Sequence, residues 1–190
     1  MRKLILIAHT SLDGFAAGLN GELDGFEASE ENLKFVCHLT ENANAALFGR
    51  VSYQLLNDYW PTAKDRPRAT QGEIAYSNWY NGAQKIVISR SIRGINLNKT
   101  TFLSENIPDE ITLMKKGTGK NILIFGSPAV SQLLMTHSLI DEYWIFVNPI
   151  IFGKGISLFA ETQHQIKLKL DTTKQFSNEE FALHYIVDRS

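Results

Sequence analysis

The chain has 190 residues, a length that predicts one globular domain over 1–190, and its 19 Lys and Arg against 20 Asp and Glu leave a formal charge of −1. That balance gives no reason to expect a nucleic acid or an anionic membrane as partner, and 44% hydrophobic with 21% charged residues excludes global disorder. A single cysteine, Cys37, excludes an internal disulfide framework and a Cys-based zinc cluster, and no apolar run approaches the ~20 residues that span a bilayer, so a cytoplasmic protein is expected.

After Met1, Arg2 and Lys3, residues 4–8 (LILIA) form an apolar run too short for a secretory signal; it predicts a strand buried on both faces, central in a sheet. The run breaks at Ser11-Leu12-Asp13-Gly14. Gly14, Gly18, Gly21 and Gly25, with the turn dipeptide Asn20-Gly21, then predict a mobile loop. Ser29 is a candidate N-cap, with Glu30 and Glu31 in the first turn and Leu33, Val36 and Leu39 at helical spacing. Residues 45–48 predict a short strand, and Gly49-Arg50 leads into a helix carrying Val51, Leu55 and Leu56. Residues 61–72 are polar, hold two prolines and lack periodicity, so a long surface loop is expected there, with a helix over 73–80 ended by Asn81-Gly82.

Residues 85–89 (KIVIS) predict the next strand and 90–98 a polar turn. A weak strand over 100–103 and a helix over 107–115, closed by Gly117, precede a buried strand at 122–125 (ILIF). Gly126-Ser127-Pro128 opens a helix containing Val130, Leu133, Leu134 and Met135, with Pro128 where a missing N–H costs nothing. A strand over 142–147 ends at Asn148-Pro149. Near the C-terminus Ile166, Leu168 and Leu170 alternate with Lys167, Lys169 and Asp171, and residues 181–187 alternate likewise, which predicts an antiparallel hairpin at a sheet edge. The expected class is α/β, with helix-linked parallel strands first and an antiparallel pair last.

Common catalytic signatures fail. H-E-x-x-H, C-x-x-C and G-x-S-x-G are missing, and His9, His38, His137, His164 and His184 have no metal-ligand spacing, so no metal is expected. Gly117-Thr118-Gly119-Lys120 imitates the end of a phosphate loop, but Met114 and Asn121 stand where that motif needs Gly and Ser or Thr. What remains is a set of polar turns at the C-terminal ends of predicted strands: Asp13-Gly14, Gly49-Arg50-Val51-Ser52, Ser89-Arg90-Ser91 and Gly126-Ser127-Pro128-Ala129. In open α/β sheets ligands bind at that edge, where helix N-termini offer free N–H groups to anions, and arginines such as Arg50 and Arg90 suit a phosphate. One such turn serves chain geometry as readily as binding. Four on one edge point to a phosphorylated ligand.

The blocks SLDGFAAGLNGELDGF, ALFGRVSYQLL, YWP, QKIVISRS, NILIFGSPAV and NPIIFGKGISLF, in that order, resemble the dihydrofolate reductase superfamily. The branch they resemble most is the C-terminal reductase domain of bacterial RibD, over residues 3–187. The resemblance implies a three-layer α/β/α fold, with a mostly parallel central sheet, antiparallel C-terminal strands, and NADPH along the strand ends. It implies an active-site loop at residues 15–21, Ala17 and Gly18 included, over the nicotinamide. Gly49, Arg50, Val51 and Ser52 are then implied at the pyrophosphate and adenosine phosphate, and Ser89, Arg90 and Ser91 at the 2′-phosphate. Gly126, Ser127 and Ala129 are implied under the cofactor, with Ser127 and Pro128 replacing further glycines of the family. Pro149, Gly153 and Gly155 match the P-x-x-x-G-x-G segment of the riboflavin branch.

Hydride transfer needs a proton source, and folate-reducing enzymes use a carboxylate on the first helix. The resemblance places Asn32 there, with Glu31 adjacent; an amide cannot protonate a pteridine, which argues against dihydrofolate reduction. Asp13 and Asp24 are further candidate acids, each equally readable as an ordinary turn or loop acid. Ser11, Asn32 and Trp60 are expected on the substrate side, with Trp60 alternatively a structural aromatic. Lys64, Arg66 and Arg68 are candidate contacts to a substrate phosphate, or an ordinary charged loop. The implied function is NADPH-dependent reduction of a small heterocycle, similar to 5-amino-6-(5-phosphoribosylamino)uracil reductase. The alternatives are a dihydrofolate reductase or a non-catalytic NADP-binding protein. A homodimer is a further expectation, from the apolar Tyr143, Trp144, Phe146 and residues 150–152.

Overall fold

A computed structural model of the chain describes residues 1–27, 29–92, 97–159 and 165–190. The elements run β1 (Leu4–Thr10), β2 (Phe15–Ala17), α1 (Glu30–Thr40), β3 (Ala43–Gly49), α2 (Arg50–Ala63), α3 (Gln71–Gly82), β4 (Gln84–Ile88) and β5 (Thr100–Leu103). They continue with α4 (Ile107–Lys116), β6 (Asn121–Phe125), α5 (Pro128–Thr136), β7 (Glu142–Val147), β8 (Ile156–Ser157), β9 (Leu168–Gln175) and β10 (Phe181–Val187). Eight strands form one sheet in the order β5-β4-β3-β6-β1-β7-β10-β9. The first six are parallel; β10 runs antiparallel to β7, and β9 antiparallel to β10.

Alternation along β1 builds both sides of the core. Leu4, Leu6 and Ala8 face Ile111 of α4 and Val130, Leu134 and Met135 of α5, whereas Ile5 and Ile7 face the layer of Val36, Tyr53, Tyr76 and Tyr80 from α1, α2 and α3. Helices thus cover both faces, which explains why the central strands read as unbroken apolar runs. Each fully buried Leu or Ile in these rows contributes about 1.5–3 kcal/mol. Ser29 caps α1 by accepting from the Asn32 amide at 3.0 Å, as its position predicts. Among the described residues no helix is long and apolar enough to cross a membrane.

Several expectations need correction. The loop expected over 61–72 shrinks to 64–70, because α2 runs on to Ala63 and α3 starts at Gln71 behind a capping box of Thr70 and Glu73. Leu56, Trp60 and Ala63 stand at i, i+4 and i+7; Ala63 is fully buried and Trp60 packs 4.3 Å from Tyr76. That helical spacing overrides Pro61, which sits in the last turn. The loop expected to be mobile is pinned at residues 15–17, which pair as β2 with β8. The hairpin forms at the edge as expected, but Leu168 and Leu170 stay 40% and 49% exposed opposite Val187 and Tyr185. Tyr143, Trp144 and Phe146 are buried in the chain's own core, so they are not available for a dimer contact.

Candidate active site

Because β4, β3, β6 and β1 are adjacent and parallel, the turns at residues 89–92, 49–52, 126–129 and 11–14 leave the sheet on one edge. The two central turns meet. Gly49, the N-cap of α2, has no room for a side chain: an added Cβ would collide with Ser127 Oγ and lie 3.2 Å from Val130 Cγ2. Ser127 is the N-cap of α5, and neither helix has a side-chain cap or an acid in its first turn. Their first amides are therefore unsatisfied by side chains, and both positive helix ends converge. Gly126 (φ 55°) opens onto empty space, while Ser127 takes the same left-handed conformation (φ 56°) with a side chain. The turn is fixed from behind: the Gly126 amide donates to Ile7 O at 3.1 Å, and Ser131 Oγ donates to Gly126 O at 3.1 Å.

Free amides at two converging helix N-termini could hold an anionic group. Arg50 is exposed beside them and donates to Gln54 Oε1 at 2.9 Å, and Val51 and Ser52 continue the first turn of α2. One strand away, Ser89 is buried and its hydroxyl accepts from the amides of Ser91 (3.3 Å) and Ile92 (3.1 Å), so it shapes the turn and leaves Arg90 and Ser91 exposed. The rest of the expected 90–98 turn, residues 93–96, lies outside the described residues.

On the β1 side a second set of contacts ties loop to loop. Asp13 accepts from Ser11 Oγ (2.6 Å), the Phe152 amide (3.1 Å) and the Gly153 amide (2.8 Å). These bonds, the Ser11 hydroxyl foremost, hold its carboxyl below the usual Asp range. Such a group is a poor proton donor, and Asp13 acts as a clamp on residues 152–153. Ser11, expected on the substrate side, is 1% exposed and its hydroxyl also accepts from the Phe15 amide, so it is spent on the turn. Ala17 is buried in β2, and the Gly18 amide donates to Glu22 O at 2.9 Å. Asp24 is exposed in the following loop. Next to it, Gly25 lies under the Phe152 ring, and Phe26 stacks on that ring at 5.2 Å.

Beside the end of β1 lies a buried acid that the sequence reading did not single out. Glu180, at the entry to β10, is fully buried; its Oε1 lies 2.7 Å from His9 Nδ1 and its Oε2 accepts from Asn32 Nδ2 at 2.6 Å. His9, on the last turn-facing stretch of β1, stacks on Phe146 at 4.8 Å and approaches Phe26 at 6.3 Å. Asn32, at the position expected for the acid, does face inward and is 7% exposed. The carboxylate comes from another element. Glu31 points away: its Oε2 accepts from the Ser177 amide at 3.0 Å and its Oε1 lies 3.6 Å from Lys174 Nζ, on the β9–β10 turn. Trp60 lies between Tyr59 and Tyr76 where α2 meets α3, and Arg66 stacks over Tyr59 at 3.9 Å, so this aromatic and this cation join helices. The missed signal was modest. Ile5, Ile7 and His9 share one strand face, which places an imidazole on an apolar row, and Glu180 shares the inner face of Ala182 only once the β10 register is known.

Comparison with known proteins agrees with this architecture. The RibD C-terminal domain family matches residues 2–181. The uncharacterized protein YyaP of Bacillus subtilis (strain 168) is 31% identical over 179 residues, 93% of this chain and 90% of that one. Among solved structures, a diaminohydroxyphosphoribosylaminopyrimidine deaminase/5-amino-6-(5-phosphoribosylamino)uracil reductase from Thermotoga maritima aligns with TM-score 0.68 at 18% identity, covering 98% of this chain and 57% of that protein. Dihydrofolate reductase from Enterococcus faecalis, complexed with NADP(H) and RAB-propyl, aligns with TM-score 0.64 at 14% identity over 98% and 96% of the two chains. The three-layer sheet with its antiparallel C-terminal strands is the fold they share, and the chain belongs to the RibD C-terminal domain family.

Proposed function

We propose that the protein is an NADPH-dependent reductase of a small heterocycle, of the pyrimidine-reductase type. The observation that carries this reading is the meeting of two uncapped helix N-termini at Gly49 and Ser127, on the sheet edge where β1 ends beside His9, Asn32 and Glu180. A reduced nicotinamide supplies a hydride when bound. The chain's own part is to hold the phosphates on the amides of residues 50–52 and 126–129, with Arg50 and Arg90 toward the phosphate that distinguishes NADPH from NADH. Asp13 keeps residues 152–153 closed over the same edge, which limits water in the cleft.

Thermal-shift titration tests the cofactor directly: NADPH raises the melting temperature by mass action, more than NADH does. Replacing Arg50 or Arg90 by Ala weakens NADPH by about 1.5–3 kcal/mol and spares NADH. No shift with either nucleotide refutes the reading. Turnover is read as loss of reduced-nicotinamide absorbance with 5-amino-6-(5-phosphoribosylamino)uracil, the substrate in the Thermotoga protein's name. Glu180 beside Asn32 supplies a second reading, since a buried carboxylate stands close to where folate reduction needs one. Nanomolar methotrexate binding, read from tryptophan quenching, would favour it.

A further inference from the structure

Buried carboxylates need a counter-charge and a full set of donors, and isolation of either is costly. Among the described residues Glu180 meets two side chains, His9 and Asn32, which approach it on separate oxygens. Each partner has one polar atom left. His9 uses Nδ1 on Glu180, and its Nε2 has no hydrogen bond among the described residues; the side chain is 34% exposed. Asn32 uses Nδ2 on Glu180, and its Oδ1 likewise has no partner among the described residues, though the residue is 93% buried by its 7% exposure. Among the described residues no buried side-chain polar atom is left unsatisfied, so these two atoms reach solvent and not the core. Glu180 lies behind them.

We propose that His9 is the proton donor of the reaction, that Glu180 is the positioning residue that aims its Nε2–H into the cleft, and that Asn32 Oδ1 accepts from an N–H on the same edge of the substrate. This rests on the reductase reading above and deepens it by naming the substrate edge. An acceptor faces the donor His9, and a donor faces the acceptor Asn32. That pairing suits a neutral ring with an N–H beside a C=N or C=O, as in lactam-type pyrimidines. It does not suit a cationic diamino edge, which needs a carboxylate facing the cleft.

The balance is simple. A reduced nicotinamide bound at the Gly49–Ser127 turns would supply the hydride to the substrate carbon, its own oxidation balancing the reduction. The C=N π bond breaks, its electron pair takes the proton from His9 Nε2, and a C–H and an N–H bond form. Neutral imidazole remains, with Nδ1–H still directed at Glu180, and is reprotonated from water. Glu180 never leaves its buried site. The other groups facing His9 are the rings of Phe146 and Phe26, which carry no charge; Glu31 and Lys174 pair with each other on the outer side of the β9–β10 turn.

The ligand-free protein decides the pair and the edge without any cofactor. In nitrogen-15 NMR at fixed pH, the His9 Nδ1 resonance moves in Glu180→Gln, because the partner on that nitrogen changes from a carboxylate to an amide. An unmoved Nδ1 resonance overturns the pairing. Uracil added to the same protein shifts His9 Nε2 and the Asn32 side chain, and 1,3-dimethyluracil, which lacks the N–H groups, does not. Equal shifts from both, or none from either, overturn the edge assignment. Should Glu180→Gln fail to fold, His9→Gln keeps the test open. It retains the NADPH thermal shift and loses about 100-fold or more in reduction of the phosphoribosylaminouracil probe, whereas activity within threefold of wild type (about 0.7 kcal/mol) refutes the donor role. Loss of the NADPH shift in wild type would instead sink the reductase reading and leave the NMR outcome standing.

Discussion

Gly49 lies directly beneath the hydroxyl of Ser127, so that the helix starting after β3 and the helix starting after β6 share one contact point. Gly49 has ordinary backbone angles (φ −80°), and alanine there would be free of backbone strain. The clash with Ser127 Oγ is purely steric. Gly49→Ala therefore costs about 1–3 kcal/mol of stability by overpacking, read as a lowered urea midpoint at unchanged slope. It also displaces the α5 turn and weakens NADPH. Adding Ser127→Gly removes the colliding hydroxyl and a left-handed non-glycine residue, so the double variant recovers most of the loss. Additive losses in the two variants would show that the helices do not meet there.

Asp13 holds residues 152–153 of the neighbouring loop. Its carboxyl is held below the ordinary Asp value of about 3.9, so its contribution is present above that value and disappears as pH falls through the lower folded value. Amide exchange at Phe152 and Gly153, taken relative to the intrinsic rate at each pH, should accelerate in acid before the sheet opens. Asp13→Asn should bring the same acceleration to neutral pH, because the amide offers one acceptor where the carboxylate offers two. If those amides exchange at wild-type rates in the variant, the clamp is not what closes this edge.

Much of this was legible from spacing. The apolar runs of β1, β3, β4 and β6 gave their own burial away, and Ser29 and Pro128 marked two helix starts correctly. The gathering of the four turns on one edge was legible too, because turns that follow parallel strands are forced onto one side. The pairing of residues 15–17 with 156–157 was not, since two very short strands far apart in sequence carry no periodicity of their own. The buried carboxylate went unread for a related reason. Adjacency along a helix put Asn32 and Glu31 forward, whereas Glu180 reaches Asn32 only through the antiparallel return of β10 beside β7. Side chains joined across 148 residues leave no local trace.

The short β2–β8 ribbon depends on Gly155. A Cβ there would run into Ala17 O and approach Phe15 Cβ at 3.1 Å. Gly155→Ala should unpair the ribbon while the main sheet persists, giving rapid proteolytic cleavage within residues 15–21 and a melting temperature lowered by only a few degrees. Gly153 is the contrasting case. It has open space but φ 69°, so Gly153→Ala costs about 1–2 kcal/mol through backbone strain and not through a clash. A ribbon that survives Gly155→Ala would mean that the backbone there yields.

Alkaline stability reports on the core. Tyr143 is 3% exposed, and burial, followed by the neighbouring Asp141 charge, raises its phenol to about 12. Burial raises Tyr76 and Tyr80 further in the same direction. An unfolded tyrosine ionises near 10, so the native state holds these protons longer than the unfolded chain does. The stabilisation is complete below about pH 10 and is lost as pH rises through the folded values. For Tyr143 alone the loss is on the order of 2 kcal/mol by pH 12. Tyr143→Phe keeps the ring and removes the ionisable group, so it should be nearly neutral at pH 7 and should flatten the fall between pH 10 and pH 12. Urea titrations at those pH values measure it directly, and an unchanged slope in the variant would mean that Tyr143 ionises in the native state as freely as in water.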